Sequence, residues 1–238
     1  MDWRFWKWGK AGLKPRITSR KSLPPASKID LSALTPPADV LLGHTAVAMM
    51  VVANEYSEVA DQATSVSDAD DLTRAAGSIL RRYEIVRELL DDYSGDPELS
   101  MAGPLEYARE QFNRFRADLW SERVATCLVV GGFLSDFLRT LASAMPGELS
   151  ARLEEVFADD TAEKLCHGVL ERVIEADVEQ SSRLSLWSRR VVGDTMLIAR
   201  ATLAPDLDDV VAEERYEPLF SDILTEHTRR LDRLGLTA

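Results

Sequence analysis

Histidine is scarce in this chain. Its 238 residues hold three, at His44, His167 and His227, and no Glu stands three places before any of them. The positions upstream are Leu41, Lys164 and Leu224, so no Glu-x-x-His pair exists anywhere in the sequence. Such a pair puts two metal ligands on one helix face, because residues three apart project together. Its absence removes the simplest route to a helical metal centre. Cysteine is as sparse. Cys127 and Cys166 both sit in apolar helical contexts and read as buried, reduced thiols, not as a disulfide or a metal pair. Alternating strand patterns are missing, and only 22 residues are Gly or Pro. No apolar run approaches the roughly 20 residues that span a bilayer; the longest, Ala125–Phe133, reads as a core helix. The N-terminus lacks the apolar stretch of a secretory signal.

Hydrophobic residues make up 45% and charged residues 29%, the balance of a globular chain with a core. The net charge of −12 is unevenly spread. Residues 1–40 carry eight Lys/Arg against Asp2, Asp30 and Asp39, whereas the rest has a net charge of −17. A body this acidic repels phosphate backbones, so nucleic acid is not expected as its partner.

Residues 1–37 read as an arm interrupted by Pro15, Pro24-Pro25 and Pro36-Pro37. Its start packs Trp3, Arg4, Phe5, Trp6, Lys7, Trp8 and Lys10 into a basic, aromatic segment. Tryptophan favours the membrane interface and Lys/Arg favour anionic headgroups, so this segment suits peripheral membrane contact through residues 1–10. Stacking on single strands, docking into a partner's groove and folding back on the body are the competing uses.

Residues 38–238 read as one helical domain. Apolar residues at helical spacing predict a first helix from Pro36-Pro37 to about Ala63 and a second from Ser65 to Ser94. Glu98 to about Asp118 should be a connection, helical over Leu105–Phe115. A third helix is expected over Trp120–Ala144 and a fourth over Glu148–Ala176, broken near Ala158–Thr161. A fifth should cover Glu179–Leu203, and a sixth should start near Tyr216-Glu217-Pro218 and end at Gly235.

Two segments carry a likeness. Leu-Ser-Leu-Trp-Ser-Arg-Arg-Val-Val-Gly-Asp over 184–194 and Glu-His-Thr-Arg-Arg-Leu-Asp-Arg-Leu-Gly-Leu over 226–236 resemble the actinobacterial ferritin-like proteins grouped with tRNA 2-methylthio-isopentenyladenosine hydroxylase, a carboxylate-bridged di-iron enzyme. The resemblance covers about residues 38–236. It implies an all-α fold: a ferritin-like four-helix bundle with one or two extra C-terminal helices and a flexible N-terminal arm. It also implies ligand positions, at which this chain departs from the pattern. Met49 stands where a Glu should follow Leu41-Leu42-Gly43, and Ile79-Leu80-Arg81-Arg82 stands where Glu-x-x-His should precede Tyr83. Val130-Gly131-Gly132 replaces an acid-bearing step, although Asp136-Phe137 matches. Glu163, Cys166 and His167 keep metal-capable chemistry on the fourth helix.

The resemblance thus implies a cytoplasmic bundle with a degenerate metal site and no cofactor, acting as a binding or scaffold protein for a protein partner. The alternative is a di-iron hydroxylase that takes iron through Glu55, Glu84, Asp136, Glu163 and His167. A second alternative is an adaptor at the membrane surface, working through the arm. Asp136 lies among Phe133, Leu134 and Phe137, surroundings in which a carboxylate wants an arginine partner.

Overall fold

The cap chemistry written into the chain sets where its helices start and stop. The computed structural model describes residue 31 and residues 35–203 and 209–237, without the side chains of 200–216 and 218. The arm segment 1–10 therefore lies outside the described residues. Among the described residues there are eight α-helices: α1 (Ala38–Asp61), α2 (Val66–Tyr93), α3 (Pro97–Phe112), α4 (Trp120–Ala142), α5 (Gly147–Phe157), α6 (Thr161–Ala176), α7 (Glu179–Leu203) and α8 (Asp209–Asp232). No strand occurs among the described residues.

Ser65 opens α2 by accepting the Asp68 N–H at 3.0 Å while its own hydroxyl donates to the Asp68 carboxylate. Asp96 does the same for α3, accepting from the Leu99 N–H at 3.0 Å with Pro97 in the first turn. That is why α3 begins eight residues before the expected Leu105: Ser94–Pro97 closes one helix and opens the next. α5 and α6 divide at the expected break, where the Asp159 carboxylate accepts the Thr161 N–H at 2.9 Å. α8 starts earlier than expected and passes through Pro218. Proline forfeits a hydrogen bond, but its fixed φ is helical. Beyond α8, Gly235 turns the chain at φ +66°, and the Leu236 N–H returns to the Leu231 carbonyl at 3.0 Å.

α1, α2, α6 and α4 form a closed ring of neighbours. Contacts along them fix their directions. The Trp120 indole N–H donates to the Val59 carbonyl at 2.8 Å and Gly131 lies against Val52, so α4 runs antiparallel to α1. Arg172 reaches Asp68 and Asp71, whereas Asp159 reaches Ser78 and Arg82, so α6 runs antiparallel to α2. Consecutive α1 and α2, joined by four residues, run antiparallel, which leaves α2 and α4 parallel. Parallel helices on opposite corners of the ring need a long crossover, and α3 supplies it by crossing α1 at Gly43. A side chain there would begin 2.5 Å from the Ser100 carbonyl oxygen, so the approach of α3 depends on glycine.

The core fills the ring: Leu41, Leu42, Leu72, Leu90, Leu128 and Phe133 are among its fully buried members. α7 covers α4 from outside, fastened where the Trp187 indole N–H donates to the Thr126 hydroxyl at 2.9 Å. α8 adds Phe220 to a stack with Phe133 and Phe137, centroids 6.3–6.5 Å apart. By length and composition α4 is apolar enough to cross a membrane, with a mean hydropathy of 1.5 over its most apolar window. The bundle buries 61% of that window, and α4 is its core helix.

Candidate functional site

Arginine 230 enters the bundle from α8 and is 5% exposed. Its Nε–H donates to Glu163 Oε2 at 2.7 Å, and an Nη2–H donates to Asp136 Oδ2 at 2.8 Å. One guanidinium thus ties α8 to both α6 and α4. Arg233 Nη1 adds a longer contact to Glu163 Oε1, 3.4 Å. Room for the guanidinium comes from Gly132, where a Cβ would lie 2.8 Å from Arg230 Cζ. Burial opposes the charge on Arg230, but Asp136 and Glu163 outweigh it and raise its pKa above the ordinary value. Burial also pushes the Asp136 carboxyl up, against the pull of Arg230.

The bridge forms one wall of a cleft of about 390 Å³. α1 contributes Met49, Val52 and Tyr56; α2 contributes Ile79 and Arg82; Phe157 and Asp159 close the end nearest α5. Arg82 Nη1–H donates to the Asp159 carbonyl at 3.3 Å, and the Ser78 hydroxyl donates to the Asp159 carboxylate at 2.8 Å. Behind the cleft the Cys166 thiol donates to the Val124 carbonyl at 3.5 Å. Burial raises that thiol's pKa to about 12 and that of Cys127 well above ordinary, so both stay protonated. Both cysteines are free.

The profile of the family described as "Ferritin-like domain, actinomycetes" matches residues 37–211, from the start of α1 into α8. The chain belongs to that ferritin-like family. No curated protein matches it. Asp136 and Glu163 lie inside the matched span; Arg230, which binds both, lies beyond it.

Ferritin-like folds imply a metal pair held by carboxylates and imidazoles from four helices. In this ferritin-like chain the donor set does not fit one. α1 and α2 present Met49, Ile79 and Arg82 to the cleft, and the carboxylates of α4 and α6 are bonded to a guanidinium. Among the described residues, no three His, Cys, Asp or Glu side chains gather as ligands would.

Of the five candidate ligands, the structure brings together only Asp136 and Glu163, through Arg230. Glu55 lies half-buried, 3.5 Å from Arg123, which bonds Glu58 more closely at 2.8 Å. Glu84 is exposed on α2. Glu163 and His167 do not pair: Glu163 turns to α8, while His167 Nδ1 lies 3.3 Å from Glu171. Among the described residues, Arg189 and Arg190 make no carboxylate link to another helix; Arg190 stacks over Trp187 at 5.3 Å. Sequence reasoning missed Arg82 and the pairing of Arg230 with Asp136. The second had a signal, an acid amid aromatics on one helix and arginines on another, but nothing local says which arginine arrives.

Proposed function

We propose that this ferritin-like chain descends from the tRNA hydroxylase-like lineage and works as a cytoplasmic binding or scaffold protein, with a degenerate metal site. One observation carries this reading: the guanidinium of Arg230, with Arg233 beside it, balances the charge of Asp136 and Glu163 on α4 and α6. A fixed cation between two carboxylates satisfies the charge that a metal would otherwise balance. Methionine and isoleucine at positions 49 and 79 fill space and lack oxygen donors.

Metal analysis of the full chain, expressed in iron- and manganese-supplemented medium, tests the reading. Substoichiometric metal is the expected result. About two atoms per chain, as a ferritin-like pair requires, would overturn it and favour the di-iron hydroxylase.

A further inference from the structure

Two guanidinium groups line the same cleft, and each keeps one unpartnered donor. Arg230 Nη1 and Arg82 Nε are both buried and have no hydrogen-bond partner. A buried N–H left unpaired costs about 1–3 kcal/mol, and more when its group is charged. Burial also lowers the Arg82 pKa from its ordinary value, with Asp159 only partly opposing the effect. Both donors would gain from an oxygen acceptor placed between the cleft walls.

The charge balance limits what that acceptor can be. Four arginines and five carboxylates line the cleft. Three of these groups are paired with residues outside it: Arg139 with Glu154, Asp160 with Lys164 and Glu226 with Arg229. That leaves Arg82, Arg230 and Arg233 facing Asp136, Asp159 and Glu163, a neutral set. A single negative charge with two oxygens can use the bare donors, whereas a doubly charged phosphate would meet three fixed carboxylates. Next to the donors, Met49, Ile79 and Phe157 offer an apolar wall. The volume suits a small organic molecule.

We propose that the cleft between α1, α2, α4 and α6 is a binding site for a small organic monocarboxylate, its carboxylate held by Arg82 Nε and Arg230 Nη1 and its apolar part against Ile79 and Met49. The proposal rests on the binding-protein reading and names the ligand class for it. Arg82 and Arg230 act by positioning charge; no bond is made or broken.

Calorimetric titration of the full chain, stripped of metal and then freed of chelator, with benzoate, benzamide and phenyl phosphate tests this. Expected is saturable one-to-one binding of benzoate, at least about tenfold tighter than benzamide or phenyl phosphate, a difference of about 1.4 kcal/mol. Arg82→Met should weaken benzoate by a similar factor. Ile79→Trp, which narrows the cleft from its apolar side, should abolish binding, and circular dichroism with the helical content of the parent shows that each variant folds. Absence of benzoate binding, equal binding of benzamide, tighter binding of phenyl phosphate, or full binding by a folded Ile79→Trp would each overturn the proposal. Failure of benzoate to bind the stripped chain leaves the binding-protein reading standing. Binding that appears only when metal is restored would overturn both.

Discussion

Gly132 and Arg230 are fitted to each other: a side chain on the first would begin 2.8 Å from the guanidinium carbon of the second. The glycine sits on α4 and the arginine on α8, and the guanidinium needs that space to reach Asp136 and Glu163 together. Gly132→Val should therefore expel Arg230 and lower stability by about 3 kcal/mol, the scale of a broken buried ion pair. Gly131→Ala, whose added carbon meets only Val52 at 3.3 Å, should cost far less. Urea denaturation of both variants checks the contrast.

Removing the cation should be worse than removing the whole set. Arg230→Met leaves Asp136 without its cation and Glu163 with only the longer Arg233 contact, which should cost about 3 kcal/mol. Adding Asp136→Asn and Glu163→Gln to it should recover a large part. A triple variant no more stable than the single one would show that the bridge contributes packing and not charge compensation.

Crossover packing should depend on Gly43. Gly43→Ala brings a methyl to 2.5 Å from the Ser100 carbonyl oxygen, and a backbone atom cannot swing aside. Faster amide exchange along α3, with α2 and α6 little changed, is the expected signature.

Acid should destabilise the protein partly through His227. The residue is 2% exposed, and burial, followed by the neighbouring Arg230, lowers its pKa from 6.5 to about 4. Its folded pKa lies below the unfolded value, so its neutral form favours the fold above pH 6.5, and that stability is lost as pH falls toward 4. The span is worth about 3 kcal/mol at most. Asp136, whose pKa is raised, acts with the opposite sign, since the folded state holds its proton more tightly. His227→Leu should flatten the stability curve between pH 6.5 and 4. An unchanged slope would remove His227 from the account.

The basic, aromatic start of the chain leads to an independent expectation. Sedimentation with vesicles rich in anionic lipid should retain the full chain at least about tenfold better than a version lacking residues 1–30, since each Lys or Arg near such a surface adds about 1 kcal/mol. Equal retention would end the idea of membrane contact through Trp3–Lys10.

Much of the fold could be read in one dimension because its signals are local. Ser65, Asp96-Pro97 and Gly235 act within four residues of themselves, and apolar spacing marked the helices from α1 to α7 except the first two turns of α3, where Asp96-Pro97 reads as the end of α2 and not as a new cap. The start of α8 was missed because Pro218 looked like a boundary, although a proline's φ permits a helix to continue. The missing Glu-x-x-His pairs were likewise visible, since ligand spacing on one helix is a property of sequence.

Only the tertiary structure decided what Asp136 and Glu163 do. Arg230 is 94 residues from one and 67 from the other, and Arg189, Arg190 and Arg229 were equally available by composition. The choice depends on where α8 crosses α4 and on the absence of a side chain at Gly132. The cleft that Arg82 shares with Arg230 arises in the same way, because a space bounded by four helices has no trace in any one of them. Residue order alone set the helices and what they lack; packing chose the partners, since charge pairing acts over a few ångströms of space regardless of separation along the chain.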